Sequence, residues 1–214
     1  VRRHARLLDY FMHDGCNARA WICFDYAGAD LVLPEGTQLL TGSAVDSPRV
    51  APSDLDRVLR EEQPEVFETL HPIKLQAPRS EIKFYTWGDS DCCLPAGATR
   101  ATLEWKPGLD LKASNVLIFE EVKSPTTGIP ADVDPARRHA VRLTAAETAE
   151  DKLFTKNPAD PDGPPIPRNN LSDTPLRLIE ISWASEDKLP FPLCLSAITD
   201  RDERITDVSV ARGN

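Results

Sequence analysis

Proline is the residue that most constrains this sequence: 19 of its 214 residues are proline, against 10 glycines. Because proline lacks a backbone N–H and has a fixed φ, it breaks helices and central strands but is tolerated in turns and at strand ends. A long helical bundle is therefore disfavoured. About ten strand-like segments predict a mainly β chain, an antiparallel β-rich fold with a short N-terminal amphipathic helix and a long proline-rich loop.

The charge balance narrows the possible partners. The chain has 25 Lys and Arg against 34 Asp and Glu, a net charge of −9, which argues against nucleic-acid binding. Hydrophobic residues make up 41% and charged residues 28%, as in a folded globular chain. No apolar run approaches the roughly 20 residues that cross a bilayer, so no membrane insertion of this chain is expected.

Residues 1–15 have the periodicity of an amphipathic helix. Val1, Leu8 and Met12 recur at helical spacing, and Asp14 with Gly15 supplies a stop. We expect this helix to continue a missing upstream segment, because both ends of the chain look like internal positions of a longer polypeptide. Its apolar stripe is then either an assembly surface or a face that folds back on the β domain.

Residues 16–153 are predicted to form the β-rich domain. The apolar residues of 21–26 are so dense that this strand is expected to be buried on most of both faces. The polar stretch after it contains one short helix candidate, with Ser53 as its N-cap and Pro64 as its stop. The strongest strand prediction covers 115–122, and another covers 139–144.

Residues 154–175 are predicted to be a proline-rich loop. Its six prolines are Pro158, Pro161, Pro164, Pro165, Pro167 and Pro175. We expect a mobile excursion between two strands, from which residues 157–170 can be deleted with folding largely intact. Strand signals resume in 176–214, which we interpret as returning strands of the same or an adjoining β domain.

The cysteines predict neither a disulfide framework nor a metal site. There are five at irregular spacing: Cys16, Cys23, Cys92, Cys93 and Cys194. His13 and Cys16 form the only close pair with metal-ligand spacing, and adjacent cysteines on a strand point to opposite faces. We expect reduced, metal-free cysteines that pack as small buried hydrophobic side chains, and a reducing compartment during folding.

Two acidic clusters invite a catalytic or metal-binding interpretation, and neither supports it. Glu120 and Glu121 are strand neighbours, so their carboxylates diverge. Residues 89–91 (DSD) begin like a calcium loop but lack its Gly and distant Glu, so an Asx turn is expected. No phosphate loop, nucleophile elbow or metalloprotease motif occurs. The sequence thus predicts no catalytic residue, no cofactor or cofactor-binding residue and no metal ligand.

Several longer stretches resemble a known family. They are 1–10 (VRRHARLLDY), 13–21 (HDGCNARAW), 66–71 (VFETLH), 84–89 (FYTWGD), 92–99 (CCLPAGAT), 116–122 (VLIFEEV), 139–144 (HAVRLT), 189–196 (LPFPLCLS) and 207–214 (DVSVARGN). They are similar to baseplate assembly proteins of phage-tail-like contractile injection systems, which resemble the baseplate J-like wedge proteins of contractile phage tails. Ser114 and Asn115 stand where that family tends to carry Gly-Asp. Its members are longer, so the chain is expected to be an internal fragment.

The resemblance implies a structural, non-enzymatic role. Wedge proteins of this kind surround the central spike hub, join it to the sheath and reorganise when the tail contracts. The implied partners are other baseplate wedge subunits, the hub or spike, and sheath-proximal proteins. The implied location is the cytoplasm during assembly and the assembled, tail-like particle afterwards. The resemblance carries over no catalytic residue.

A β-rich carbohydrate-binding or glycan-processing module of a tail particle is the alternative. Sugar binding calls for clustered, exposed aromatic rings. The tryptophans are dispersed, at Trp21, Trp87, Trp105 and Trp183, and three of them lie in strand-like runs where core packing is expected. Glycan processing calls for two carboxylates that converge in a concave pocket, which depends on long-range structure.

Overall fold

The computed structural model describes residues 16–42, 49–160, 163–169, 174–199 and 202–214. Within them the protein is mainly β, as predicted. The strands are β1 (Leu31–Leu33), β2 (Gln38–Leu40), β3 (Val66–Glu68), β4 (Ile73–Leu75), β5 (Ile82–Lys83), β6 (Cys93–Leu94), β7 (Arg100–Glu104), β8 (Val116–Glu121), β9 (Arg138–Asp151), β10 (Phe154–Thr155), β11 (Ile166–Pro167), β12 (Leu176–Trp183), β13 (Leu193–Cys194), β14 (Ala197–Ile198), β15 (Arg204–Ile205) and β16 (Ser209–Arg212). The α-helices are α1 (Pro52–Glu61) and α2 (Ala77–Ser80), and 3-10 turns cover Pro130–Asp132 and Ser185–Asp187.

Six strands form one antiparallel sheet in the order β5-β16-β8-β9-β12-β7. This sheet curls until its two edges meet. Phe84, directly after β5, forms a bridge with Leu103 of β7. The N–H of Tyr85 donates to the carbonyl of Thr102 at 2.8 Å. The contact leaves β5 and β7 without long unpaired edges.

The core fills the inside of the curled sheet. Alternate residues of its strands point inward and are buried, namely Ile82, Ala101, Leu103, Leu117, Phe119, Val141, Leu143, Ile179, Ile181, Trp183 and Ala211. Phe119 lies at the centre, with edge-to-face ring contacts to Phe84 at 5.0 Å and Trp183 at 5.2 Å. Each large side chain buried in this way contributes roughly 1.5–3 kcal/mol.

Two strands of the segment 176–214, β12 and β16, belong to the same sheet as β7, β8 and β9. Strand β12 lies between β7 and β9, and β16 pairs with β5 and β8. The chain therefore returns through its own core after the proline-rich region. Strand β9 is longer than the predicted 139–144, because β12 supports it as far as Asp151.

Residues 16–75 lie outside this sheet. They contain two antiparallel ribbons, β1 with β4 and β2 with β3, and helix α1. The predicted buried strand at 21–26 is wrong: the segment has no regular structure, and Trp21 is 60% exposed. Its hydrogen bonds to the body are local: the Phe24 N–H donates to the Asn214 carbonyl at 3.3 Å, and the Tyr26 backbone N–H and carbonyl both bond to the Ser80 hydroxyl. Because β16 already has a strand on each side, the segment has no ladder to enter.

Helix α1 confirms the helix prediction but not its cap. The N-cap is Ala51, without a side-chain hydrogen bond, and Pro52 occupies the first turn. Proline is pre-organised for that position, so the helix begins before Ser53. Val58 is its fully buried residue, and the helix ends at Glu61, before Pro64.

The proline-rich region is a docked hairpin in its described part, which corrects the expectation of a loop throughout. Strands β10 and β11 pair through residues 154–155 and 166–167. Phe154 packs against Leu176 and Leu178, and Lys156 Nζ pairs with Glu104 at 2.7 Å. The apolar Phe154 and Ile166 and the charge of Lys156 give this segment contacts that its composition did not suggest.

The predicted N-terminal helix at 1–15 lies outside the described residues and remains a prediction. In the part of the chain that the structure describes, no helix is long and apolar enough to cross a membrane.

Candidate functional site

Three surface concavities are candidates for a site, and the largest of the three has a volume of about 680 Å³. It lies between the proline-rich hairpin and the sheet. Trp105, Lys156 and Arg177 line it, with the Arg177 guanidinium stacked 3.9 Å above the Trp105 ring. Among the described residues that line it, none carries a carboxylate, so the described lining does not show the paired acids that a glycan-processing site requires.

The second concavity, about 530 Å³, is a groove on the outside of β8 and β9, which we call the Trp21 groove. Trp21, Ser114, Arg142, Glu186 and Asp187 contribute to its walls. The Asp187 carboxylate accepts the Arg142 backbone N–H at 3.0 Å, which ties the 3-10 turn to β9. An exposed indole beside polar groups is an arrangement that can stack a sugar ring or an apolar side chain.

The third concavity, about 430 Å³, lies on the outer face of β7, β12 and β9. Glu147 and Glu180 are direct cross-strand neighbours there. Both side chains are exposed. The pair therefore forms an exposed, polar part of the outer sheet surface.

Two buried hydrogen-bonded pairs lie on the sheet's outer face beneath the hairpin. The Tyr85 hydroxyl donates to Asp151 Oδ2 at 2.8 Å, and the buried Glu104 carboxylate accepts from Lys156. Burial, followed by the hydrogen bond to Asp151, raises the pKa of Tyr85 above its usual value. Both pairs tie the hairpin region to the sheet, which is a structural role.

Glu120 and Glu121 have separate partners. Glu120 is buried and forms ion pairs with Arg138 and Arg212, whereas a carboxylate oxygen of Glu121 accepts the Asp134 N–H at 3.4 Å. The two carboxylates thus diverge, as strand geometry requires. Burial, then the negative charge of Glu120, raises the pKa of the nearby Cys23 thiol.

The structure separates the predicted cysteine environments. Cys92 packs against the core and Cys93 is exposed on the opposite face. The expectation of buried side chains is therefore wrong for Cys93 and also for the exposed Cys16. His13 lies outside the described residues. Within the described ranges, no group of three or more His, Cys, Asp or Glu side chains could hold a metal ion. The Asp91 N–H donates to Asp89 Oδ1 at 3.1 Å, which confirms the Asx turn.

The expectation of core packing for the tryptophans also needs correction. Trp183 is buried, but Trp21 and Trp87 are 60% and 52% exposed. Trp87 has a positive φ of 57°, so it lies in a turn after β5 and not in a continuing strand. The strand-like composition around Trp87 did not reveal this turn.

Exposed apolar side chains are concentrated in the segment outside the main sheet. Six of the ten large hydrophobic residues that are exposed in the described structure lie between residues 21 and 70, namely Trp21, Ile22, Leu31, Val32, Val66 and Leu70. Two-stranded ribbons are marginally stable without further packing. Exposed apolar side chains of this kind are available to bind another protein where they lie side by side in one patch.

Comparisons with protein-family models, with curated proteins and with solved structures return no match to this chain.

Proposed function

We propose that this chain is a structural baseplate wedge component of a contractile, phage tail-like injection particle, linking the central hub or spike to the sheath. The stretches that resemble the baseplate family support the proposal, since they are spread along the chain from 1–10 to 207–214, although 43–64 and 154–175 contain none. The proposed partners are other wedge subunits, the hub or spike and sheath-proximal proteins. Assembly takes place in the cytoplasm, and the chain then stays in the particle.

The structural observation that carries the proposal is the apolar surface of residues 21–70. The main sheet has its own closed core, so it does not need these ribbons to bury its interior. A rigid β body with an apolar extension is suited to joining neighbouring subunits in an assembly.

The proposal is tested by purifying tail-like particles from cells that make the full-length protein. We expect mass spectrometry to find the chain in the baseplate fraction of intact particles. In the full-length protein, the double variant Val32→Ser with Leu70→Ser should melt as the parent does, because both side chains are exposed. Its incorporation into baseplates should fall by at least tenfold.

The matched control replaces two equally exposed side chains elsewhere, Ile129→Ser with Leu153→Ser. This variant should be incorporated normally. Absence of the parent protein from purified particles would overturn the proposed function. Normal incorporation of the Val32 and Leu70 variant would overturn the assignment of the surface.

A carbohydrate-binding module is the second candidate, and the Trp21 groove is the observation that favours it. Its exposed indole lies beside Arg142 and Asp187. Titration calorimetry with cell-surface oligosaccharides tests it. Binding that is lost in Trp21→Ala and retained in Trp87→Ala would support this candidate. No heat of binding for the parent protein would reject it.

A further inference from the structure

We propose that Cys93 and Cys194 form a dithiol site that reacts with small-molecule disulfides and closes to an intramolecular cross-strand disulfide. The site is independent of the proposed wedge function. Both residues belong to the short ribbon of β6 and β13, which are 101 residues apart at these positions and are brought together only by the fold.

The register of this ribbon places the two cysteines directly opposite each other, with Cys194 facing Cys93. The next pair is hydrogen-bonded, because the Leu195 N–H donates to the Cys92 carbonyl at 2.7 Å. Cys93 and Cys194 are therefore a non-hydrogen-bonded pair, for which the Cα atoms lie about 4.5 Å apart. This is within the range of about 4.4–6.8 Å that disulfides span.

The side chains share one face of the ribbon and differ in access. Cys93 is exposed, whereas Cys194 is half-buried against Ala197, Ile205 and Val208. Their directly opposite register positions place the two side chains next to each other. Cys92 points to the other face, against the main core, so it does not compete for Cys194. A small oxidant thus reaches Cys93 first and Cys194 is placed to resolve the product.

The reaction balances as two thiol–disulfide exchanges. The Cys93 thiolate attacks a disulfide RS–SR, forms a mixed disulfide and releases one RS⁻. The Cys194 thiolate then attacks the Cys93 sulfur, forms the Cys93–Cys194 bond and releases the second RS⁻. The two thiol protons pass through water to the two leaving thiolates. The protein loses two electrons and the oxidant gains them.

The environment of Cys93 sets the expected rate at which the dithiol is oxidised. Although the side chain is accessible, partial desolvation of its thiol, then the hydrogen bond and the charge of Cys194, raises the pKa of Cys93 above its usual value. Below that pKa the thiolate fraction rises about tenfold for each pH unit. We therefore expect a dithiol that remains reduced at low disulfide concentration and is oxidised faster as the pH rises.

The test incubates the reduced protein with oxidised glutathione at pH 8.5 and traps it with iodoacetamide. Before trapping, we expect an intact mass lower than the reduced mass by two hydrogen atoms, apart from any adduct on the exposed Cys16. After trapping, Cys93 and Cys194 should carry neither glutathione nor a carbamidomethyl group. Trypsin should yield a disulfide-linked pair of peptides, residues 84–100 and 189–201. The oxidised form should melt roughly 5–10 °C higher, because the bond closes a long loop.

Cys92→Ala is the matched control, and it should retain the cross-link, while Cys93→Ala should abolish it. A stable glutathione adduct on Cys93 without ring closure would overturn the proposal. So would a link that Cys92→Ala removes. The peptide map is measured on the parent protein, so it identifies the cross-link even if a variant folds poorly.

Discussion

Ser114 has a backbone conformation that its side chain does not favour. Its φ is +72°, in the left-handed region. The Ser114 N–H donates to the Leu143 carbonyl, and the Leu143 N–H donates to the Asn115 carbonyl, each at 2.8 Å. The register of β8 against β9 therefore holds the turn in place. Glycine adopts this left-handed conformation without steric cost, so the positive φ makes glycine the better residue for this position.

Ser114→Gly should raise the free energy of unfolding by about 1 kcal/mol, because glycine removes the steric cost of a left-handed L-residue. Urea denaturation measures the change. Ser185→Gly, in a 3-10 turn, is the control and should give no gain. A less stable Ser114→Gly variant would show that no steric cost exists at this position.

Ionisation of the buried Tyr85 hydroxyl makes the stability of the folded protein depend on pH in the alkaline range. Because burial and Asp151 raise its pKa in the folded state, its stabilising contribution is complete below the unfolded pKa near 10. The contribution declines as the pH rises above that value toward the folded pKa.

Tyr85→Phe should lower the free energy of unfolding by about 1–3 kcal/mol at pH 8, since buried Asp151 loses a donor. The difference from the parent should shrink above pH 10. Denaturant titrations at pH 8, 10 and 11 measure it, and Tyr26→Phe controls for general alkaline effects. A difference that is constant across this range would contradict the assigned ionisation.

At the scale of the element, the β10–β11 hairpin is held on the sheet by the charge of Lys156. Glu104 on β7 is buried, and its carboxylate is neutralised by Lys156 from the hairpin. Lys156 Nζ also donates to the Gly163 carbonyl at 3.0 Å. The ion pair therefore joins the hairpin's first strand, its turn and the sheet.

Lys156→Met should destabilise the protein by roughly 2–3 kcal/mol, because it leaves the buried Glu104 carboxylate without its cation. Thermal unfolding measures the loss. Lys152→Met is the control, since Lys152 is exposed, and should change stability by less than about 0.5 kcal/mol. Equal effects of the two substitutions would mean that the ion pair does not dock the hairpin.

At the scale of the whole molecule, closure of the sheet depends on a short contact. The bridge between Phe84 and Leu103 and the hydrogen bond of Tyr85 to Thr102 join the backbones of its two edges, and the Trp87 indole N–H donates to the Thr102 hydroxyl at 3.2 Å. A curled sheet that stayed open would expose two edges to water and to other chains. Ring contacts of Phe84 with Phe119 favour the closed form.

Native-state hydrogen exchange tests closure directly. The Tyr85 amide should exchange as slowly as the Leu143 amide within the central ladder, because both bonds should open only with the whole sheet. The Gly36 amide, in the ribbon region, is the comparison and should exchange much faster. Rapid exchange at Tyr85 would show that the edges separate without global unfolding.

The sequence by itself determined the local features of this protein. Proline abundance favoured a β fold with turns, runs of strand-forming apolar residues marked β8 and β12, and the apolar pattern before Pro64 marked α1. The positions where a turn must interrupt a strand were also partly encoded, as at residues 89–91. These signals depend on neighbours within about ten residues, which is why the linear pattern contains them.

Only the tertiary structure decided which of these segments meet. The apolar segment at 21–26 resembles a buried strand, but both sides of β16 are already occupied. Cys93 and Cys194 are opposite each other because two distant ribbon strands share a register. The curled sheet brings Glu147 beside Glu180 in the same way. Strand partners are selected by packing and hydrogen bonding across the whole chain, and no local pattern specifies that choice.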